Sequence, residues 1–467
     1  MPCRTAPKVA AIGTKSPIAD RKDVMTATEA APLQLDEIQG IVLRDRPSPY
    51  VGTYILLRVD DPGAGRELMG RLAELVDSAA NWWQPDLPAL LNAGLTYRGL
   101  EALQVSPVAL STFPEEFRQG MAARAEFIGD TGESAPARWE PPFGTGQVHV
   151  VLSLLAADQE SLAVVLERAR KAHAQLSGLQ VVHRQDFYQL SSGRTSFGYK
   201  DGIGNPAIEG SGAESPPGDG SVLKAGEFVL GYRDETGNLP PMPQPAELGR
   251  NGTFVAWRKL HTRVAAFRRY LHDNSGSPEE ESLLAAKIVG RWQSGAPLIL
   301  APEHDDPALG ADAQRNNGFR YESDPRGAIC PHGAHARRAN PRDSEIIGDI
   351  RLHHMIRRGT NYGPPLPAGI LDDDGADRGI VFVFIGSHLD RQFEFVKSQW
   401  LNDGHFTGLD QEKDLLTGNN DGTGIFTIPE HPIRRRLHGV ERFVITRGGE
   451  YFFLPSISAL RWLADVQ

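Results

Sequence analysis

The pattern of hydrophobic and polar positions predicts a regular series of strands and helices in the first half of the chain. Apolar or alternating runs at 50–61, 147–157 and 181–190 are typical of strands. Between them, leucines and other apolar residues recur at helical spacing at 66–76 and 160–176. The order strand, helix, strand, helix, strand with antiparallel pairing predicts an α+β fold of the ferredoxin-like kind.

The second half repeats this order of elements without repeating the sequence. The pattern predicts strands at 253–260 and 378–387, helices at 279–292 and 390–401, and a final strand pair within 440–455. Gly448 and Gly449 are the predicted turn between the two strands of that pair. We therefore expect two ferredoxin-like domains with antiparallel sheets.

Segments rich in Gly, Pro and Ser separate the two halves. They occupy 209–221 and 235–252 and are typical of loops or linkers. The first 32 residues have no apolar run long enough for the core of a secretory signal. The predicted organisation is a disordered leader (1–32), an N-terminal domain (33–208), a linker and loop region (209–252) and a C-terminal domain (253–467).

Composition limits the class of protein. The chain has 467 residues and a formal net charge of −10, which argues against a nucleic-acid partner because phosphates require a basic surface. No stretch approaches the roughly 20 apolar residues of a membrane span. Only Cys3 and Cys330 are present, too few for a disulfide framework. We expect a protein of the cytoplasm with no membrane partner.

One loop carries a candidate catalytic carboxylate. In FGYKDGIGNP (197–206), the glycines permit positive φ and close approach of the backbone to a ligand, and Pro206 prevents a helix. Asp201 at its centre is therefore presented and not packed. The alternative is an ordinary surface turn, in which Asp-Gly is a common dipeptide.

Further motifs follow in the C-terminal half: CPHGAHARRANPR (330–342), LHHMIRRGTNYG (352–363) and GGEYFFLPSISAL (448–460). In the first of these, Cys330, His332 and His335 could form half of a zinc site. The only other candidate ligands are His353 and His354, and no second Cys/His pair stands at a spacing suitable for zinc.

Taken together and in this order, the motifs resemble the dye-decolourising peroxidases, a family of haem enzymes. The resemblance runs from about residue 33 to residue 460. It implies two ferredoxin-like halves in a dimeric α/β-barrel-like arrangement, with haem b held mainly by the C-terminal half. It also implies that hydrogen peroxide is reduced while aromatic dyes, phenols and similar small aromatic donors are oxidised.

The resemblance also implies roles on the proximal side of the haem. His335 matches the iron ligand, and Arg342 matches the arginine that binds a haem propionate. The carboxylate that accepts the other ring N–H of the ligand matches Asp414, with Glu394 and Asp410 as alternatives.

On the distal side, Asp201 matches the acid–base that moves the peroxide proton, and Arg357 matches the cation that stabilises the departing oxygen. Arg357 is chosen over its neighbour because Tyr362-Gly363 sets the register. The cofactor contacts implied near this pair are Gly202, Ile203, Ile380 and Phe382.

Alternatives to this function remain open. A haem-binding carrier or sensor on the same fold would need His335 but neither Asp201 nor Arg357. Another haem reaction, such as oxidative decarboxylation or iron removal, is a further alternative. The sequence does not choose a surface electron-transfer residue among Trp257, Trp400 and Tyr451, and it leaves a homo-oligomer possible.

Overall fold

The computed structural model describes residues 32–81, 89–212, 222–344 and 348–466. Its strands are β1 (Val51–Val59), β2 (Ala89–Leu95), β3 (Val150–Ala156), β4 (Leu179–Tyr188), β5 (Thr253–Thr262), β6 (Ile356–Arg357), β7 (Thr360–Tyr362), β8 (Gly379–Gly386), β9 (Gly424–Ile428), β10 (Arg435–Val440) and β11 (Val444–Leu454). The strands predicted at 50–61, 147–157, 181–190, 253–260 and 378–387 are present as β1, β3, β4, β5 and β8.

The α-helices are α1 (Gly40–Leu43), α2 (Pro62–Ala73), α3 (Tyr97–Ala102), α4 (Pro107–Leu110), α5 (Glu115–Gln119), α6 (Gln159–His173), α7 (Ala246–Gly249), α8 (Val264–Asp273), α9 (Pro278–Val289), α10 (Pro307–Ala311), α11 (His335–Ala339) and α12 (Ile457–Ala464). Short 3-10 turns lie at Gly132–Ser134, Pro136–Arg138, Ala225–Glu227, Ile350–His353 and Phe406–Gly408. The helix predicted at 390–401 is wound as two π-helical segments, Leu389–Glu394 and Val396–Leu401. Such wide turns are rare and often occur at functional sites.

One antiparallel sheet contains strands from both halves of the chain. Within the described ranges its hydrogen-bonded order is β4–β1–β3–β2–β11–β5–β8–β6, and β7 also pairs with β8. The halves join where β2 meets β11, with Leu95 opposite Phe453. The predicted α+β fold with antiparallel pairing is confirmed, and the sheet is open instead of a closed barrel. Strands β9 and β10 form a separate hairpin.

The core of the first half is built on β2 and β3, in which every residue is buried. Helix α6 packs on these two strands, and α2 packs on α12. Strands covered on both faces have continuous apolar sequences instead of alternating ones. Such a run can be mistaken for part of a helix or a loop, which is why the pattern did not predict β2.

The prediction of a final strand pair with a turn at Gly448 and Gly449 is wrong. Both glycines lie inside the single long strand β11, where the pairing with β5 shifts register between Thr446 and Gly448. A Cβ at Gly448 would overlap the ring of Phe143, and a Cβ at Gly449 would overlap the sulfur of Met121. The glycines therefore serve close packing on the strand, not chain reversal.

Two further sequence predictions concern organisation. The predicted leader falls almost entirely on residues 1–31, and part of the linker falls on 213–221; both stretches lie outside the described residues. The division into domains at 209–252 stays a prediction. In the part of the chain that the structure describes, no helix is long and apolar enough to cross a membrane.

Candidate active site

A cavity of about 350 Å³ collects nearly all of the predicted site residues. Its walls come from the Asp201 loop, α11, β8 and the π-helical segments. The predicted residues that line it are Asp201, Gly202, Ile203, His335, Arg342, Arg357, Ile380 and Phe382. Asp414 is the remaining predicted residue, and it is hydrogen-bonded to His335.

His335 is the first residue of α11, and its ring lies between a buried carboxylate and the cavity. Nδ1 is 3.0 Å from Oδ2 of Asp414. Because a carboxylate accepts, Nδ1 carries the proton and the lone pair is on Nε2. Within the described residues Nε2 has no hydrogen-bond partner, and 27 % of the side chain is exposed, so Nε2 is available to a ligand in the cavity.

Asp414 is fully buried and is held by two more donors. The backbone N–H and the hydroxyl of Thr417 reach Oδ1 at 2.6 and 2.8 Å. Burial alone would raise the pKa of Asp414, but its interaction with His335, the charge of Arg338 and the donors of Thr417 bring it to about 2. The alternative acids are placed differently: Glu394 binds Arg124 and Tyr451, and Asp410 is exposed.

Across the cavity, the Asp201 loop holds Arg357. Gly202 and Gly204 have φ of 80° and 92°, a conformation that favours glycine. The turn directs carbonyl oxygens of Ile203 and Gly204 to within 3.3 and 3.5 Å of the Arg357 guanidinium. Burial lowers the pKa of Arg357 while Asp201 raises it, and arginine stays protonated in proteins.

The carboxylate of Asp201 has a partner that the sequence did not predict. Its Oδ2 lies 3.2 Å from Nη2 of Arg46, which precedes β1. The Asp201 side chain is 43 % exposed, and the Arg46 side chain is 18 % exposed. No sequence signal identified Arg46, because it stands in a polar loop far from every motif.

Arg342 has an unusual backbone conformation in the cavity wall. Its φ is 54°, a left-handed value that costs a non-glycine residue free energy and is enriched at functional sites. Its guanidinium donates to the carbonyl oxygens of Asn317 and Phe319, both at 3.1 Å, and to Oδ1 of Asn317 at 2.6 Å. The guanidinium also lies 3.9 Å from the centre of the Phe319 ring.

Ile380 and Phe382 alternate on one face of β8, and both line the cavity. Between and beyond them, Val381 and Val383 are buried on the opposite face. The face that carries the two larger side chains therefore borders the site.

The cavity wall suits a largely apolar cofactor that carries negative groups. Apolar side chains include Met355, Phe393, Val396, Trp400 and Leu416. The charged lining residues comprise eight cations, Arg46, Lys200, Arg258, Arg291, Arg342, Arg357, Lys397 and Arg442, against two acids, Asp130 and Asp201. Haem combines an apolar ring with two carboxylates, so this lining fits it. The sequence predicted only two of the eight cations.

The zinc alternative finds no support in the geometry. Among the residues that the structure describes, no three His, Cys, Asp or Glu side chains are grouped to hold a metal ion. Cys330 is fully buried, and burial raises the pKa of its thiol to about 11, which disfavours the thiolate that zinc binds. Nε2 of His332 is 3.2 Å from the carbonyl oxygen of Pro325.

Comparisons with known proteins decide the family. No family model matches the chain. The dye-decolorizing peroxidase msp1 of Mycetinis scorodonius is 30 % identical, covering 100 % of this chain and 94 % of that protein. The chain belongs to the dye-decolourising peroxidase family. A dye-decolorizing peroxidase of Exidia glandulosa is 31 % identical over 95 % of this chain and 90 % of its own length.

A solved structure agrees with this assignment. A dye-decolorizing peroxidase in complex with 2,6-dimethoxyphenol superimposes with a TM-score of 0.81 at 29 % identity, covering 92 % of this chain and 100 % of the other. This dye-decolourising peroxidase is therefore a haem-dependent enzyme that oxidises dyes and phenols.

Proposed function

We propose that this dye-decolourising peroxidase binds haem b in the cavity, with Nε2 of His335 as the iron ligand. The observation that carries the proposal is the hydrogen bond from His335 Nδ1 to the buried Asp414 carboxylate, 3.0 Å long, on the wall of a cavity whose lining also includes Asp201 and Arg357. A carboxylate acceptor fixes the orientation of a ligating histidine and makes it a stronger donor. Bound haem iron supplies the site for peroxide reduction and one-electron oxidation.

The other residues have roles that follow from their surroundings. Asp201 accepts the proton of hydrogen peroxide and returns it to the oxygen that departs as water. Arg357 is partly buried, faces the cavity and is cationic, so it stabilises the negative charge that develops as the O–O bond breaks. We assign Arg342 to a haem propionate because its cationic guanidinium lies in the cavity wall. Gly202, Ile203, Ile380 and Phe382 line the cavity and would limit the space for a substrate beside bound haem.

Small aromatic reductants fit this function, since a relative has been solved with 2,6-dimethoxyphenol. The cavity wall contains Trp400, and the chain offers Trp257 and Tyr451 as further candidates for electron transfer to bulkier donors. All three are buried, so none of them is itself a surface contact for a donor. The cytoplasmic location and the homo-oligomer stay predictions.

The iron-ligand assignment is tested by replacing His335 with alanine. We expect His335→Ala to lose haem, or to bind it with a changed Soret band. The matched control is His332→Ala, three residues earlier, which should keep normal haem occupancy. Full occupancy with an unchanged spectrum in His335→Ala would exclude His335 as the ligand.

A further inference from the structure

Two adjacent residues near the N-terminus contact the proposed peroxide-activating pair. One bonds to Asp201 and the other to Arg358, the neighbour of Arg357. Asp45 and Arg46 lie between α1 and β1, about 150 residues before the Asp201 loop in sequence. We refer to Asp45 and Arg46 as the distal clasp. Neither belongs to a motif that carries the family resemblance, and no role follows for them from the reaction described above.

Arg46 is the basic half of the distal clasp. Its Nη2 donates to Oδ2 of Asp201 at 3.2 Å, and its guanidinium lies 4.8 Å from the centre of the Tyr50 ring. Tyr50 is itself buried, and its hydroxyl accepts from the backbone N–H of Asn361 at 3.4 Å. The guanidinium is thus supported by a fixed ring, which restricts the directions in which it can hold the carboxylate.

Asp45 is the acidic half of the distal clasp. It contacts Arg358 and, in the Asp201 loop, Asn205. Its Oδ1 accepts from Arg358 Nη1 at 2.8 Å and from Asn205 Nδ2 at 3.4 Å. Asn205 in turn accepts the backbone N–H of Arg357 at 3.0 Å through Oδ1. Arg358 also donates through Nε to the carbonyl oxygen of Ile41 at 3.2 Å. The same dipeptide is therefore bonded to the Asp201 loop and to Arg358, the residue that follows β6.

We infer that the distal clasp sets the relative position of Asp201 and Arg357, with Arg46 as the residue that orients the Asp201 carboxylate. This inference rests on the proposed function, in which Asp201 handles the proton and Arg357 the charge. An aspartate side chain has several staggered rotamers, and the hydrogen bond from Arg46 at 3.2 Å favours the one seen here. Proton transfer requires the Asp201 side chain to stay in one rotamer that keeps its carboxylate within hydrogen-bond reach of the bound peroxide.

Cyanide supplies a readout besides turnover. Hydrogen cyanide must lose its proton to a distal base when it binds ferric haem, so its association rate reports the position of that base. We expect Arg46→Gln to slow both cyanide association and the peroxide-dependent Soret change by about tenfold, the usual effect of losing one charge-assisted hydrogen bond. Arg46→Lys should recover most of the rate, and Asp45→Asn should also slow both reactions.

Two controls separate positioning from general damage. Arg170→Gln removes an exposed arginine paired with Glu167 on α6, outside the cavity, and should leave both rates unchanged. In an Asp201→Asn background, Arg46→Gln should slow the reactions by less than about twofold, because its target has already been removed.

Each outcome decides between the alternatives. If Asp201→Asn slows both reactions and Arg46→Gln, folded and loaded with haem, does not, the clasp is refuted and the proposed function stands. A full tenfold effect of Arg46→Gln in the Asp201→Asn background would show that Arg46 acts independently of Asp201 and would also refute the clasp. If Asp201→Asn itself reacts normally, the acid–base role fails and the clasp fails with it.

Discussion

Replacement of Asp414 by asparagine tests the pair of residues on which the proposed iron site depends. The side chain is fully buried and accepts hydrogen bonds from the His335 ring at Oδ2 and from the N–H and hydroxyl of Thr417 at Oδ1. Asparagine has the same shape but only one acceptor oxygen. In either amide orientation its NH₂ group faces an N–H donor, and one buried donor loses its acceptor.

The size of the effect follows from the hydrogen bonds that are lost. The contacts of Asp414 with His335 and Thr417 favour its charged form in the folded protein, since they hold its pKa below the ordinary value despite burial. Losing a buried charge-assisted hydrogen bond and leaving a donor unpaired costs about 2–4 kcal/mol. We therefore expect Asp414→Asn to lower the free energy of unfolding by about 2–4 kcal/mol.

The assay compares chemical denaturation of the two proteins at pH 7 together with the reduction potential of the haem iron. The potential should rise in Asp414→Asn, because a neutral acceptor makes His335 a weaker donor to ferric iron. Asp410→Asn is the matched control, since Asp410 is exposed in the same loop. Equal stability and equal potential in Asp414→Asn and Asp410→Asn would refute the proposed role of the His335–Asp414 pair.

Three further predictions test other parts of the molecule. Asp201→Asn should slow the peroxide-dependent Soret change by roughly 10²–10⁴, and Arg357→Leu by about 10²–10³ or more, by stopped flow; a normal rate in Asp201→Asn alone would leave Asp201 as a wall residue. Burial and the charge of Arg391 lower the pKa of His388 in the folded protein from 6.5 to about 4. As the pH falls from 6.5 towards 4, His388 is protonated in the unfolded chain but not in the folded one, so the free energy of unfolding decreases. His388→Gln should remove about 2 kcal/mol of the stability difference between pH 7 and pH 5, and an unchanged difference would contradict the shift. Gly448→Ala should destabilise the fold by about 1–3 kcal/mol in urea denaturation, because its methyl group would overlap the Phe143 ring; a neutral result would mean that the ring moves aside.

The sequence predicted the parts of the site whose local motif defines their conformation. The Asp201 loop needs glycine at 202 and 204, where φ is positive, and this requirement is visible in the residues themselves. Asp414 was matched only loosely, yet the structure puts it 3.0 Å from His335, 79 residues away in sequence. A contact of that separation is set by tertiary packing, and a single sequence carries little information about it.

Arg46 shows where the sequence alone is insufficient. It contacts Asp201 across 155 residues and belongs to a short polar loop, which has no periodicity and no motif. The fold has a parallel case in β2, whose apolar run is ambiguous in isolation and becomes a strand only between β3 and β11. In both cases the partner is distant in sequence: Asp201 for Arg46, and strands β3 and β11 for β2.

The charge of the cavity could not have been predicted from the charge of the chain. The protein carries a net charge of −10, yet eight cationic residues and only two acids line the cavity. The cavity lining therefore has an excess of cationic residues although the chain as a whole is acidic, even after Arg258 is paired with Asp130. Two of the cations, Arg342 and Arg357, have proposed roles with propionate and peroxide, and Arg46 is paired with Asp201. The others leave the cavity with more positive charge than two propionates neutralise, so the cavity should favour aromatic donors with a carboxylate or sulfonate over cationic ones of equal reduction potential. A lower KM for the cationic member of a matched donor pair would show that oxidation takes place outside the field of this cavity.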